Sequence, residues 1–254
     1  MRKIQVIFCI YAQTNKTAMK PQFTLDPKII AFDADDTLWD NEPYFEEAEQ
    51  RFIALMSDFW SKQSISQKLF DNQIKNLPLY GYGIKGYVLS MIESANEIAQ
   101  EYISHDVYNR IINIGKEMLQ QPVNLLDGVE ETLELLAEKF PIIVATKGDL
   151  KDQHRKLHES GVGHFFHHIE VMINKDQMDY QKMIQRLEID FSDFLMIGNS
   201  LKSDILPVIE LGGSAVHIPY HTTWEHERIS HKIEHPNFYS LQNIRALPKL
   251  LNLI

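Results

Sequence analysis

Apolar positions follow two different spacings along this chain. Short, largely β-branched runs, the first of them Lys28 to Phe32, predict buried strands of a parallel sheet. Residues 43–121 instead repeat apolar side chains every three or four positions, which predicts helices without an intervening strand. The pattern therefore predicts an α/β core that carries an all-helical insertion.

Strand and helix alternate after the insertion. Each predicted strand is a short apolar run that ends at polar residues: Pro141 to Thr146, His168 to Ile173, Phe194 to Gly198, and Ala215 to Pro219 as the last strand. Strands that alternate with helices in this way pair in parallel through right-handed crossovers. We therefore predict a Rossmann-like parallel sheet.

The same patterns predict the domain organisation. Residues 21–42 and 122–254 form the α/β core, and residues 43–121 form the helical insertion. Residues 1–20 pair two basic residues with a short apolar run that is too short to span a bilayer. We expect this stretch to be a disordered extension or a start assigned too early, in preference to a secretory signal.

Composition restricts the class of protein. The chain has 254 residues, 44% of them hydrophobic and 24% charged, which is ordinary for a globular protein. Its net charge of −10 gives no electrostatic help to nucleic-acid binding. The single cysteine, Cys9, excludes an internal disulfide and fits a reducing compartment.

Polar side chains stand directly after the predicted strands. Asp33 and Asp35 follow the first strand two residues apart, so their side chains point the same way. The carboxyl ends of parallel strands meet at one edge of the sheet, and we expect the polar residues of later strands to join them there. Those residues are a hydroxyl, a lysine, an amide and a carboxylate: Thr146, Lys175, Asn199 and Asp204.

This set of side chains suits phosphoryl transfer through an aspartyl-phosphate. One carboxylate would attack phosphorus, and the other would protonate the leaving oxygen and then activate water. A divalent cation would offset the repulsion between carboxylate and phosphate. Thr146 and nearby N–H groups would hold phosphate oxygens, and Lys175 would stabilise the developing negative charge. A structural alternative is that Asp35 or Asp36 caps the following helix.

Over roughly residues 28–219 the chain resembles the haloacid dehalogenase (HAD) superfamily. The run Asp33-Ala34-Asp35-Asp36-Thr37 is similar to its first motif, which implies Asp33 as nucleophile and Asp35 as general acid/base. The run Thr146-Lys147-Gly148 resembles the second motif, which implies contact with phosphate.

The later motifs of the superfamily are similar as well. Lys175 stands where the third-motif lysine belongs, and Gly198 to Asp204 resembles the fourth, acidic motif. The helical insertion looks like a C1-type cap, which closes over the substrate. Members mostly bind Mg²⁺ through the nucleophile, the backbone carbonyl of the acid/base and fourth-motif side chains. The resemblance therefore implies a magnesium site, with these residues as ligands: Asp33, Asp35, Asn199 and Asp204.

Two positions depart from the superfamily pattern. Lys147 stands where the second motif usually has Asn, and Asn199 stands where the fourth motif usually has Asp. Asn199 still offers an oxygen to a hard cation but loses a charge, so we expect magnesium to bind more weakly. Asp204 then becomes the acidic anchor of that loop.

Several functions stay open at this stage. A dehalogenase needs the nucleophilic Asp33 but no acid two residues on, so Asp35 favours phosphate chemistry. A phosphomutase keeps both carboxylates. A binding or regulatory protein with a relic site is the alternative outside enzymes.

Substrate choice is expected to lie with the helical insertion. The glycine-rich stretch Leu77 to Gly86 predicts either a bending loop with polar tips or an interhelical turn with half-buried tyrosines. Three of its residues are candidates for contacting the leaving group: Tyr80, Tyr82 and Lys85. The segment His217 to Trp224 leaves the sheet near the expected site and is a candidate for lining the pocket or a dimer contact. His154 and His158 have the spacing of paired zinc ligands, but exposed helix positions explain them better.

The sequence thus predicts a cytoplasmic, Mg²⁺-dependent phosphatase that acts on a small phosphorylated metabolite. We expect no nucleic-acid or membrane partner, and a monomer or homodimer.

Overall fold

The computed structural model describes residues 25–254 of the chain, so the prediction for residues 1–20 lies outside the described residues. Within that range, six parallel strands form one sheet in the order β3-β2-β1-β4-β5-β6. The strands are β1 (Ile29–Phe32), β2 (Ile142–Lys147), β3 (His168–Met172), β4 (Phe194–Gly198), β5 (Ser214–His217) and β6 (Phe238–Ser240).

Central β1 is buried on both faces, as its continuous apolar sequence requires. It pairs with β2 on one side and β4 on the other, with Phe32 level with Val144 and Ile197. The chain order of the strands reverses at β1, and ligands of open α/β sheets bind at such a point. The residues that follow β1, β2 and β4 therefore come together at one edge.

Helices cover the sheet and form the insertion. Those of the insertion are α1 (Glu42–Met56), α2 (Lys62–Tyr80), α3 (Ile84–Ala99) and α4 (His105–Met118). Those of the α/β part are α5 (Val129–Ala137), α6 (Leu150–Glu159), α7 (Gln177–Leu187), α8 (Leu206–Glu210) and α9 (Leu247–Leu250). A π-helical turn, Leu201–Ile205, precedes α8.

The inserted helices pack into a hydrophobic core of their own. Buried side chains from all four helices meet there, among them Phe52, Leu69, Met91 and Ile111. The two faces of the sheet are covered by separate apolar clusters. The predicted fold class, a Rossmann-like parallel sheet with an inserted all-helical cap, is confirmed.

Two local predictions differ from the structure. Of the two interpretations of Leu77 to Gly86, the loop is wrong and the interhelical turn is correct, because α2 continues through Pro78 to Tyr80 and α3 begins at Ile84. Pro78 lies in the last turn of α2, where only one hydrogen bond is lost. The last strand is β6, whose three residues pair with β5 and are too few to show a hydrophobic period.

No helix among residues 25–254 combines the length and the apolar character that crossing a membrane requires.

Candidate active site

Asp33 stands at the centre of the site, directly after β1. Its Oδ1 accepts a hydrogen bond from Nζ of Lys175 at 2.7 Å, and its Oδ2 accepts one from the Thr37 hydroxyl at 3.2 Å. The same lysine ammonium contacts the carboxylate of Asp204. Lys175 is 1% exposed, so its charge is balanced by these two carboxylates and hardly by water.

In this cluster, burial and the oppositely charged neighbours shift the pKa values of Asp33 and Lys175 in opposite directions. Burial raises the pKa of Asp33 to about 7, and the Asp204 charge adds to the rise, while the Lys175 ammonium opposes it. Burial by itself lowers the pKa of Lys175, but the carboxylates of Asp204 and Asp33 raise it well above its usual range. The lysine therefore remains an ammonium beside the nucleophile candidate.

Asp35 lies on the same side of the loop, and three side chains hold its carboxylate. Nε1 of Trp39 donates to Oδ1 at 2.8 Å, and Nε2 of Gln153 donates to Oδ2 at 2.9 Å. Nζ of Lys156 donates to both oxygens, at 2.6 and 2.8 Å. The second carboxylate of the predicted pair is thus fixed in place by residues from α6.

Asp36 has the structural function that the sequence left open. Its carboxylate accepts hydrogen bonds from the backbone N–H groups of Asn41 and Glu42 at 2.9 and 3.0 Å. These N–H groups open α1 and have no partner within the helix. Asp36, and not Asp35, therefore caps the first helix of the insertion.

The second predicted motif follows β2. Thr146 is 1% exposed and lines the cavity with Lys147 and Gly148. Gly148 has a φ of 133°, and a Cβ there would lie 2.8 Å from Nε2 of Gln153, so this position needs glycine. The Thr146 hydroxyl donates to the backbone oxygen of Lys147 at 3.4 Å.

Lys147, at a position where the superfamily pattern differs, joins a buried polar network. Its Nζ donates to the hydroxyl of Ser203 at 2.9 Å and forms an ion pair with Glu227. The Glu227 carboxylate also accepts from the hydroxyls of Ser200 and Ser203. Burial alone would raise the pKa of Glu227, but the Lys147 ammonium and the two hydroxyls lower it to about 2.

Oxygen atoms that suit a hard divalent cation lie between β1 and β4. Thr37 Oγ1 is 3.2 Å from Oδ2 of Asp33 and 3.3 Å from Oδ1 of Asn199, so these two oxygens are near each other. Oδ1 of Asp204 is buried and contacts the Lys175 ammonium, so a cation bound here would share this carboxylate with the lysine. Carboxylate and amide oxygens are ligands that Mg²⁺ accepts. Residues 25–254 contain no group of three or more His, Cys, Asp or Glu residues placed to hold a metal.

Gly198 explains how Asp204 reaches this position. A Cβ on residue 198 would overlap the Asp204 carboxylate, so only glycine lets the side chain return to the end of β4. Oδ2 of Asp204 accepts the Ser200 N–H at 2.8 Å, which fixes the carboxylate. The π-helical turn that carries Asp204 belongs to a class often found at functional sites.

The insertion closes the site from the opposite side. Tyr80 and Tyr82 line the cavity, and the Lys147 ammonium lies 4.3 Å from the ring centroid of Tyr82. Lys85 is not among the cavity-lining residues and forms an ion pair with Asp149 at 2.8 Å. Of the three candidates from the insertion, the structure brings two to the cavity and places Lys85 between the insertion and the α/β part.

Only part of the histidine-rich segment after β5 lies at the cavity. Trp224 lines the cavity and contacts the Tyr82 ring edge-to-face at 6.2 Å between centroids. His221 is exposed and is not among the lining residues. His154 and His158 are also exposed.

Three residues at the site were not singled out from the sequence: Gln153, Lys156 and Glu227. Each is less than 9% exposed although its side chain is polar or charged. Gln153 and Lys156 lie three residues apart on α6, on the face turned toward Asp35. The only signal in the sequence was Lys156 on the buried face of that helix. Charged residues are rarely buried unless they are paired, so such a lysine indicates an acidic partner.

Together these residues surround a cavity of about 210 Å³. Pockets for drug-sized ligands usually measure roughly 300–1,000 Å³. The enclosed space therefore suits a small molecule.

Known proteins resemble this arrangement at two levels. The family model described as haloacid dehalogenase-like hydrolase matches residues 27–212. A haloacid dehalogenase-like family hydrolase from Xanthomonas campestris is 34% identical, with a TM-score of 0.81, and the match covers 90% of this chain and 91% of that one. No curated protein matches the chain.

More distant structures share the fold alone. A 2-haloacid dehalogenase from Pseudomonas syringae pv. Tomato is 20% identical, with a TM-score of 0.56 over 89% of this chain and 99% of that one. A predicted phosphoglycolate phosphatase from Haemophilus somnus is 17% identical, with a TM-score of 0.57 over 89% and 98%. The extent of the family match and the 34% identity lead to one conclusion: this chain belongs to the haloacid dehalogenase-like hydrolases and is an enzyme.

Proposed function

We propose that the enzyme hydrolyses a small phosphate monoester through an aspartyl-phosphate on Asp33, with Mg²⁺ as cofactor. The observation that carries this proposal is the second carboxylate. Asp35 lines the same cavity as Asp33 and is held by three donors, whereas a dehalogenase has no need of an acid at this position.

In the first step, a carboxylate oxygen of Asp33 forms a bond to phosphorus, and the bond from phosphorus to the ester oxygen breaks. Asp35 gives its proton to the departing oxygen, so the alcohol leaves neutral. Thr146 and the N–H groups of the turn at Gly148 would hold the equatorial phosphate oxygens. Lys175 keeps the Asp33 carboxylate oriented, because it is bonded to Oδ1 and leaves Oδ2 toward Thr37.

In the second step, Asp35 takes a proton from a water molecule, and the resulting hydroxide attacks phosphorus. The bond from phosphorus to the Asp33 oxygen breaks, which releases inorganic phosphate and restores both side chains. Each carboxylate thus returns to its starting protonation state.

The residues that would hold Mg²⁺ are Asp33, Asn199 and Asp204, together with the backbone carbonyl of Asp35. When bound, the cation offsets the charge repulsion between carboxylate and phosphate. Because Asn199 supplies an uncharged oxygen, we expect weaker binding than with a third carboxylate.

The test is release of phosphate from 4-nitrophenyl phosphate by the purified enzyme. Asp33→Asn preserves the shape but removes the nucleophile, so we expect at least about a 10³-fold loss of kcat. Chelation of Mg²⁺ should abolish release, and added Mg²⁺ should restore it. An Asp33→Asn variant that still turns over, or a wild type that releases halide from a 2-haloacid but no phosphate, would contradict the proposal.

We also propose that the enzyme acts in the cytoplasm on a small phosphorylated metabolite, as a monomer or homodimer. The small cavity supports a metabolite over a folded protein as substrate.

A further inference from the structure

The end of the cavity that faces the insertion carries a row of acidic residues. Glu42, Glu46 and Glu49 recur at four- and three-residue spacing on one face of α1, and all three line the cavity. They belong to the insertion and take no part in the steps described above.

These carboxylates differ from the other charges of the cavity. Each lysine that lines it is already paired: Lys147 with Glu227, Lys156 with Asp35, and Lys175 with Asp33 and Asp204. Among residues 25–254, no lysine, arginine or histidine lies within ion-pair distance of the three glutamates on α1. Glu46 is exposed, but Glu42 and Glu49 are half-buried. A half-buried carboxylate without a cation is unfavourable, so this wall gains from a positive charge supplied from outside.

The pKa of Glu42 reflects this unfavourable surrounding. Its pKa is raised to about 7, chiefly by burial and in addition by the charges of Glu46, Glu49 and Asp35. Every one of these influences disfavours the ionised form, and none comes from a cation. Among the described residues, the α1 carboxylates therefore lack a cation, and of the three only Glu49 accepts a side-chain hydrogen bond, from the Ser66 hydroxyl.

Aromatic rings complete this end of the cavity. Phe45, Tyr80 and Tyr87 line it, and the rings of Phe45 and Tyr87 pack 5.1 Å apart between centroids. The faces of aromatic rings attract cations such as ammonium groups. Rings beside carboxylates are a suitable surrounding for an amine and a poor one for a carboxylate.

A separate observation points to a hydrogen-bond donor on the ligand. Gln153 lines the same cavity, is 3% exposed, and its Oε1 is buried with no partner among the described residues. The orientation of this amide is determined, because Nε2 donates to both Oδ2 of Asp35 and the backbone oxygen of Lys147, each at 2.9 Å. Oε1 is enclosed and unpaired within the part of the chain that the structure describes, so a ligand N–H or O–H group that reaches it would supply the hydrogen bond it lacks.

Building on the proposed phosphatase function, we propose that the substrate is the phosphate ester of a small alcohol that carries a cationic amine. The phosphoryl group occupies the end at Asp33, and the ammonium group lies against the α1 carboxylates. The alcohol has few carbons, because the whole cavity measures about 210 Å³.

Three esters of similar size test this proposal by their kcat/KM values: 2-aminoethyl phosphate, propyl phosphate and phosphoglycolate. Their end groups are an ammonium, a methyl and a carboxylate, and the carboxylate of phosphoglycolate lies one methylene closer to the phosphate. We expect at least about a tenfold preference for the amine over propyl phosphate, and the lowest value for the carboxylate.

In the double variant Glu42→Gln, Glu46→Gln the ratio of kcat/KM for 2-aminoethyl phosphate to that for propyl phosphate should fall close to one. The exposed Glu47, a neighbour on α1 that does not line the cavity, provides the control: Glu47→Gln should keep the wild-type ratio.

A binding measurement separates this inference from the proposed function. Calorimetry on the wild-type protein with MgCl₂ compares 2-aminoethylphosphonate with propylphosphonate, neither of which can be hydrolysed. Tighter binding of the amine supports the inference even if no phosphate ester, 4-nitrophenyl phosphate included, is turned over. If 4-nitrophenyl phosphate is hydrolysed but the three esters react equally, or the carboxylate is preferred, the inference is overturned and the proposed function stands.

Discussion

Among the described residues, charged side chains are paired at one end of the cavity and lack a cationic partner at the other. At the α/β end, Lys175 lies between Asp33 and Asp204, and Lys156 contacts both oxygens of Asp35. At the end facing the insertion, Glu42 and Glu46 on α1 have no cation as a partner within residues 25–254. Glu46 is exposed, but Glu42 is half-buried, so for Glu42 the difference lies in the arrangement of charges and not in solvent exposure alone.

This contrast separates what the protein completes by itself from what a ligand must complete. Paired and hydrogen-bonded charges hold reacting groups in place before substrate arrives, which is how preorganised sites lower barriers. Unpaired carboxylates destabilise the folded protein until a cation arrives, so they favour ligands of one charge. Under the proposed function, the α/β end would serve the common reaction, while the α1 wall would select among alcohols.

Removal of a pairing group at the α/β end should have the largest effect. Lys156→Met leaves the Asp35 carboxylate with only the donors Trp39 and Gln153. We expect kcat for an alkyl phosphate to fall about 10³-fold, within the 10²–10⁴-fold range of general acid–base catalysis. Lys156 would act as a positioning residue, through Asp35.

The choice of leaving group distinguishes positioning from a general structural loss. An aryl phosphate needs little protonation of its leaving oxygen, so 4-nitrophenyl phosphate should lose far less activity than propyl phosphate. Lys151→Met, at an exposed position of the same helix, should leave both rates unchanged. Equal losses for the aryl and alkyl esters in Lys156→Met would show that Lys156 only supports the fold.

The α/β end was also the part most visible in the sequence. Asp33, Thr146 and Asn199 each follow an apolar run, and parallel strands bring their carboxyl ends together whatever the loops between them. The first five strands of the sheet and the helical insertion were predictable for the same reason, since both depend on hydrophobic period. Short β6 was missed because pairing with β5, and not its own sequence, makes Phe238–Ser240 a strand.

The partners of the site residues were not predictable from local sequence. Lys156 meets Asp35 across 121 positions, and Glu227 meets Lys147 across 80. Such pairs depend on how helices and a C-terminal segment pack, and a lone charged residue in a sequence is usually a solvated one. The row of glutamates on α1 was visible, but its position against a cavity was not.

A second prediction concerns stability at the α/β end. Glu227→Gln removes the charge that balances Lys147 and should lower the free energy of unfolding by about 3 kcal/mol at pH 7. The folded state lowers the pKa of Glu227 from 4.5 to about 2, so its contribution is complete above about pH 4.5 and is lost as the pH falls through 2. Urea unfolding of both proteins at pH 7 and pH 3 measures this difference.

The exposed Glu225 gives the matched control for that measurement. Glu225→Gln, two positions away, should change the free energy of unfolding by less than about 0.5 kcal/mol. A loss in Glu227→Gln that stays constant from pH 7 to pH 3 would mean that packing, and not charge, is what the substitution disturbs.

A Glu→Gln substitution at the other end of the cavity should change the free energy of unfolding in the opposite direction and by a smaller amount. In the folded protein Glu42 faces Glu46 and Glu49 on its own helix, Asp35 and Asp36 after β1, and Tyr87 on α3. Because its pKa rises from 4.5 to about 7, the folded state holds the proton more tightly than the unfolded chain. The resulting destabilisation is absent below about pH 4.5, grows as the pH rises, and is complete above about pH 7.

Glu42→Gln should therefore raise the free energy of unfolding by about 2 kcal/mol at pH 8 and leave it nearly unchanged at pH 4. Urea unfolding at the two pH values measures this gain, with Glu47→Gln as the control on the same helix. A Glu42→Gln variant less stable than wild type at pH 8 would show that Glu42 has a stabilising partner, and the contrast between the two ends would fail.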